Sequence, residues 1–173
     1  MQLPGSTLSG LETGPHERKA RWGRRVFLGL LLVVVLAGAA GLLGVRSATA
    51  TASANGYDLE VTHASVARAG LDVPWQVVVT HADGFEKEVT IAVTGDYFDI
   101  YETQGFTPEP SASMRDATTL YLTFDAPDGD VLTVDYDAYI QPSSQVGRDA
   151  TVSVVDAAHV PLVSVDIDTY LLP

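Results

Sequence analysis

Two hydrophobic patterns divide the chain. The first is an apolar stretch from Val26 to Val45, which contains no charged residue. As a helix it would be about 30 Å long, the thickness of the hydrocarbon core of a bilayer. From Tyr57 onward, apolar residues alternate with polar ones, a pattern typical of strands with one buried face. The sequence therefore predicts one transmembrane helix over residues 26–45 and an all-β domain over residues 57–173.

The alternating segments of the second part are short and separated by turn residues. The clearest turn is Asp-Ala-Pro-Asp-Gly-Asp at residues 125–130, which precedes a long alternating run from Leu132 to Ile140. The number and spacing of these segments predict an immunoglobulin-like antiparallel β-sandwich of seven to eight strands rather than a barrel. The chain has no cysteine, which excludes a disulfide framework, a thiolate metal site and a cysteine nucleophile.

The segments on either side of the apolar stretch have different compositions. Residues 1–25 are rich in Gly, Ser and Thr and end in a basic cluster at 18–25, so they are predicted to form a disordered basic cytoplasmic tail. Residues 46–56 are small and polar and are predicted to form a flexible linker. Since the positive charges precede the apolar stretch, the N-terminus is expected in the cytoplasm and the β domain outside it.

Two interpretations of the apolar stretch remain open. Its length favours a retained anchor, because it exceeds the apolar core of an ordinary signal peptide. Cleavage is suggested by small-residue triplets at 48–50, 50–52 and 52–54, and residues 24–28 (Arg-Arg-Val-Phe-Leu) resemble a twin-arginine export signal. Both interpretations place the domain outside the cytoplasm, and the retained anchor is the favoured one.

Charge is distributed unequally between the two parts. Residues 1–25 contain five basic and two acidic residues, whereas residues 46–173 contain five basic and twenty acidic ones, a balance of −15. Such an acidic domain is repelled by phosphate backbones, which argues against a nucleic-acid partner. A basic protein surface or a divalent cation is the better match.

Few residues are candidates for chemistry, and none suggests catalysis or a cofactor. The four histidines (His16, His63, His81 and His159) lack the spacing of a zinc motif, and no G-x-S-x-G elbow is present. A calcium site is conceivable where three aspartates fall within one turn, although no glutamate closes an EF-hand loop there. Ordinary turn chemistry is the favoured explanation of these residues. The three candidate calcium ligands are Asp125, Asp128 and Asp130.

An aromatic region between the alternating segments is the candidate partner-binding surface. Aromatic side chains are enriched at the centres of interfaces, and loops at the ends of sandwiches commonly carry binding residues. The favoured alternative is that these rings close the open end of the sandwich core. The residues concerned are Tyr97, Phe98, Tyr101 and Phe106.

Two resemblances accompany these patterns. Over residues 70–140, the runs Trp75–Thr80, Val89–Thr94 and Leu120–Phe124, followed by the turn at 127–129, resemble the Ig-like repeats of bacterial cell-surface proteins. The chain as a whole resembles uncharacterised actinobacterial single-pass membrane proteins with an extracytoplasmic Ig-like domain. The residues that carry this second resemblance are Gly70-Leu71, Pro74-Trp75, Gly84-Phe85, Tyr97-Phe98-Asp99, the turn between Phe124 and Leu132, residues 163–166 and Leu172-Pro173.

The resemblance supplies no catalytic residue. It implies a non-enzymatic, membrane-anchored extracytoplasmic domain that supports another envelope or membrane protein. The alternative function is a secreted or surface module that binds a ligand or calcium after cleavage of its signal peptide.

Overall fold

A computed structural model describes residues 15–41, 44–102 and 105–172. The chain forms two compact units, Met1–Gly44 and Val45–Pro173. Within the described residues, the first contains one helix and the second is built mainly from strands.

Helix α1 spans Pro15–Ala39, so it begins earlier and ends earlier than the transmembrane helix predicted at 26–45. The predicted disorder of the tail is therefore wrong for residues 15–25, while residues 1–14 lie outside the described part. Proline suits the first turn of a helix, and the Glu, Arg, Lys and Ala residues that follow are strong helix formers. The helix ends before Gly41, whose φ of +73° favours glycine.

The apolar side chains of α1 are exposed from Val26 to Leu36. By length and composition, the segment Lys19–Ala39 is a candidate membrane span. A membrane would remove these side chains from water.

The second unit contains twelve strands in the described residues, together with one 3₁₀ helix, η1. The strands are β1 (Arg46–Ala54), β2 (Tyr57–Arg68), β3 (Asp72–Val73), β4 (Trp75–His81), β5 (Glu88–Thr94), β6 (Phe106–Thr107), β7 (Ala112–Arg115), β8 (Thr119–Asp125), β9 (Val131–Tyr136), β10 (Ala138–Tyr139), β11 (Arg148–Val155) and β12 (Pro161–Leu172), and η1 spans Tyr97–Ile100. The fold class predicted from alternation is thus confirmed as mostly β with one N-terminal helix.

The strands form one curled, mixed sheet. Its order is β6-β9-β4-β2-β12-β11-β5-β8-β7, with β1 paired to β2, while β3 and β10 form a separate pair. The strict antiparallel arrangement predicted from sequence is wrong at one place, because β12 runs parallel to β2 where Tyr170–Leu172 pair with Val66–Arg68. This short parallel pairing joins the two halves of the sheet.

Both halves of the sheet contribute to the same hydrophobic core. Alternate residues of β4 and β9 are buried, as are alternate residues of β8 and β12, while β5 buries Ile91, Ala92 and Val93 in succession. The sheet must therefore curl so that one of its faces surrounds these side chains. The largest fully buried aliphatic members are Leu59, Ile91, Leu122, Ile140 and five valines, Val61, Val77, Val79, Val93 and Val134.

The linker predicted at residues 46–56 is largely a strand in the structure. Strand β1 pairs antiparallel with β2 from Ala54 opposite Tyr57 to Arg46 opposite Val66. The connecting turn suits a tight hairpin, because Asn55 and Gly56 both have positive φ (52° and 81°). The alanines at positions 50 and 52 pack against the core. Pairing with β2 and these small contacts order a segment that lacks large apolar residues.

Candidate functional site

The aromatic region predicted as a contact surface divides into buried and accessible rings. Tyr97 begins η1 and Tyr101 follows it, and both are almost completely buried, whereas Phe98 and Phe106 are partly exposed. The structure thus places the two tyrosines in the core and leaves only the two phenylalanines accessible to a partner.

The buried tyrosines form a chain of hydrogen bonds with β12 and β2. Tyr101 Oη donates to Tyr97 Oη at 3.1 Å, and Tyr97 Oη lies 3.0 Å from Thr169 Oγ1. Thr169 Oγ1 in turn donates to the carbonyl oxygen of Ala64 at 2.7 Å. Burial raises the pKa of both tyrosines, so their hydroxyls remain protonated donors. The chain links η1 to the place where β2 meets β12.

Phe98 and Phe106 line a pocket of about 480 Å³, together with the buried rings of Tyr101 and Tyr136. Phe98, Phe106 and Tyr136 form its aromatic wall, with ring centroids 4.6 Å apart for Phe106–Tyr136 and 5.0 Å apart for Phe98–Tyr136. The buried ring of Trp75 packs edge-on against Phe98 at 5.3 Å. These contacts hold the wall in place, which reduces the conformational entropy that a partner would have to remove on binding.

Polar groups lie at the rim of this aromatic pocket. Arg115 lines it and approaches Asp99 Oδ1 at 3.4 Å, with both side chains about half exposed. The Arg115 guanidinium also donates to the carbonyl oxygen of Gly95, and Gln141 lines another part of the rim. An apolar wall beside the Arg115 guanidinium and the carboxylates of Asp99 and Glu102 suits an apolar side chain flanked by polar backbone.

The pocket lies at the end of the β unit where the chain enters β1. The first residue of β1, Arg46, pairs with Val66 near the end of β2. Two residues after β2 ends, the amide of Gly70 donates to the carbonyl oxygen of Ile140. Ile140 in turn forms a β-bridge with Tyr101, which lines the pocket. We call this the anchor-side end, and the end with the β1–β2 turn the far end. Along β1 the two ends are about 26 Å apart.

The predicted calcium ligands do not come together. Asp125 ends β8, and Asp128 and Asp130 lie in the exposed turn before β9. Among residues 15–41, 44–102 and 105–172, no three acidic or histidine side chains are grouped closely enough to hold a metal ion. All three aspartates lie at the far end, where Asp125 ends β8 and the other two lie in the turn that leads to β9.

The histidines within the β unit are dispersed over different strands and turns. His63 is buried in β2, His81 stacks on Tyr57 with centroids 4.2 Å apart, and His159 stacks on Tyr121 at the same distance. His159 adopts a positive φ of 60°, in a turn where Asp156 Oδ1 accepts the Val160 amide at 2.8 Å. Each stacks or packs separately.

Sequence reasoning missed several residues of the pocket, of which Tyr136 and Arg115 matter most to its geometry. Tyr136 belongs to a regular alternating strand, so its pattern indicates only burial, yet its ring completes the wall and its hydroxyl donates to Glu102 O at 3.0 Å. Arg115 is distant in sequence from η1. The pairing of β7 with β8 positions Arg115 so that its side chain lies beside Asp99 of η1. The one available signal was compositional, because Arg115 is among only five basic residues after residue 45.

Comparisons with known proteins leave the site to be interpreted from its own geometry. No protein-family model matches the chain, and no curated protein matches it either.

Proposed function

We propose that this chain is a membrane-anchored, extracytoplasmic binding domain that supports another membrane or envelope protein and has no catalytic activity. The observation that carries this proposal is the aromatic pocket of Phe98, Phe106 and Tyr136 at the anchor-side end. Strand β1 begins at this end and follows the candidate membrane span in the chain, and the partner that we propose is itself a membrane or envelope protein. A single-pass orientation with a cytoplasmic N-terminus follows from the basic residues before the apolar stretch.

Retention of the anchor is supported by strand β1. All three small-residue triplets that could mark a cleavage site lie within Arg46–Ala54. Cleavage at any of them would remove part or all of a strand that pairs with β2 along its length. An unpaired β2 edge would then be open to association with other chains. We therefore favour an anchored protein over a released one.

An immunoglobulin-like sandwich is our interpretation of the curled sheet. If the sheet is divided at its short parallel pairing, β6, β9, β4 and β2 form one group, and β12, β11, β5, β8 and β7 the other. The connections β4–β5, β8–β9 and β9–β11 pass between these groups. Such crossovers are the Greek-key connections of Ig-like domains.

Site-specific photocrosslinking tests the proposed binding function. A photoreactive phenylalanine analogue replaces Phe106 or Phe98, and the matched control carries it at Val131, an exposed residue of the far end. We expect both pocket positions to crosslink the same integral membrane protein in intact cells, and the control position to give no such product.

The crosslink should also depend on the pocket itself. With the analogue at Phe98, the additional change Phe106→Ala should reduce the yield, because it removes one wall of the cavity. Different products from the two pocket positions, or an equal yield from Val131, would rule out the pocket as the binding site.

A further inference from the structure

A second surface at the anchor-side end carries exposed apolar side chains. Val146, in the loop before β11, is 67% exposed, and Tyr170, near the end of β12, is 60% exposed. Both line a groove of about 410 Å³. Gly147 also lines it and lies so close to Thr169 that a Cβ would overlap the Thr169 carbonyl oxygen. This groove shares no lining residue with the aromatic pocket.

The connection to the candidate membrane span is short. The apolar stretch continues to Val45, and Arg46 is both its first following charge and the first residue of β1. From the end of α1 at Ala39 to Arg46, an extended chain reaches at most about 25 Å. Since residues 46–54 are a strand, the flexible spacer predicted there does not lengthen this connection.

The groove lies beside this connection. Arg46 pairs with Val66, and Val66 also pairs with Tyr170 on β12. Arg148, two residues after Val146, pairs with Thr169. Arg46 and Arg68 at this end are both exposed. Exposed Tyr, aliphatic and Arg side chains together are typical of surfaces at the boundary between a bilayer and water.

We infer that the groove between Val146 and Tyr170 rests on the bilayer into which the apolar helix inserts, so that the β unit lies against the membrane instead of projecting from it. This inference rests on the proposed anchoring of the chain. Asp149 and Asp168 also line the groove, so the contact depends on apolar and aromatic insertion and not on attraction to anionic lipids.

Spin labelling of the full-length chain in phosphatidylcholine vesicles tests this contact. The chain has no cysteine, so Val146→Cys and Tyr170→Cys each introduce one labelling site. The matched controls are Val160→Cys and Val131→Cys at the far end, where the native side chains are 54% and 44% exposed. We expect labels at 146 and 170 to collide more with oxygen and less with a water-soluble nickel chelate than labels at 160 and 131.

The outcomes distinguish the inference from the proposed function. If the chain sediments with the vesicles but all four labels are equally accessible to the nickel chelate, the β unit stands away from the membrane and the inference is wrong, although the anchor remains. A chain that does not sediment with vesicles contradicts both. The contact should persist without anionic lipid, and a difference found only with phosphatidylglycerol would contradict a contact based on apolar insertion.

Discussion

At the scale of single residues, His63 makes the stability of the β unit depend on pH. Burial lowers the pKa of His63, and the carboxylate of Asp168 opposes this shift only in part. The unfolded chain therefore binds a proton near pH 6.5, where the folded chain does not. As the pH falls below about 6.5, this residue lowers the free energy of unfolding by up to about 1.4 kcal/mol per pH unit, until the folded-state pKa is reached.

The variant His63→Gln isolates this contribution. Urea unfolding of the full-length protein in detergent, followed by the fluorescence of buried Trp75, is compared at pH 7.5 and 5.5. The variant should lose less stability between these pH values than the native protein, because glutamine does not titrate. An identical loss in both proteins would show that His63 is not held neutral by the fold.

A second prediction at this scale concerns the close contact between Gly147 and the backbone of β12. An added Cβ would overlap the carbonyl oxygen of Thr169 on β12, and backbone cannot yield as a flexible side chain can. We expect Gly147→Ala to lower the free energy of unfolding by about 2 kcal/mol or more. Gly129→Ala is the matched control, since open space surrounds that position and its φ is not positive. Thermal unfolding should separate the two variants clearly, and equal midpoints would contradict the observed packing.

The hydroxyl of Tyr97 gives a third prediction. In Tyr97→Phe the ring remains in the core, but Tyr101 Oη loses its acceptor and Thr169 Oγ1 loses one donor. Unfolding should become easier by about 1–2 kcal/mol, because a buried polar group is left without a partner. Partner crosslinking from position 106 should be unchanged, since Tyr97 is fully buried behind the pocket. Loss of the crosslink with unchanged stability would instead make Tyr97 a contact residue.

At the scale of elements, the predictable strands are those with large apolar residues at alternate positions. Leu132 and Val134 identify β9 in this way, because burial on one face imposes a period of two. This pattern does not identify strand β1, because its alternating residues are Ala on one face and Ser or Thr on the other. Its order comes from pairing with β2, a long-range contact that local composition does not encode. The parallel β2–β12 pairing is missed for the same reason.

The candidate site was predictable to a similar extent. Of the aromatic residues predicted around 97–106, Phe98 and Phe106 line the pocket, which remains a candidate site. The division of these aromatic residues into buried tyrosines and accessible phenylalanines depends on how η1 packs against β11 and on the distant partners Tyr136 and Thr169. These contacts join residues that are far apart in sequence, so periodicity alone could not assign them.

Strand β1 itself yields a prediction at this scale. Hydrogen–deuterium exchange of the full-length protein should show protected amides within residues 46–54, as expected for an antiparallel pair with β2. The change Gly56→Ala should weaken that protection, because the turn requires a positive φ at this residue (81°). The Gly129→Ala control should leave it unchanged. Rapid exchange throughout 46–54 in the native protein would restore the interpretation of this segment as a flexible linker.

At the scale of the whole molecule, the sign of the charge changes across the apolar stretch. The basic cluster precedes the apolar stretch, and the excess of acidic residues follows it. Within the β unit, the far end carries acidic residues in its turns, such as Asp83, Asp128 and Asp156, whereas Arg46 and Arg68 lie at the anchor-side end. The anchor-side end also carries Asp149 and Asp168 in its groove. Charge therefore separates the two sides of the apolar stretch in the proposed orientation, with the N-terminus in the cytoplasm, but does not by itself bring one end of the β unit to the membrane.

The absence of cysteine permits a direct test of this orientation in intact cells. Single substitutions Ser6→Cys, before the basic cluster, and Val160→Cys, at the far end, are treated with a maleimide that does not cross membranes. Val160→Cys should react before cell lysis and Ser6→Cys only afterwards, because the positive charges keep the N-terminus inside. Labelled full-length protein in the membrane fraction would agree with a retained anchor. Reaction of both positions before lysis would contradict the proposed orientation. A shortened labelled product in the medium would contradict the retained anchor.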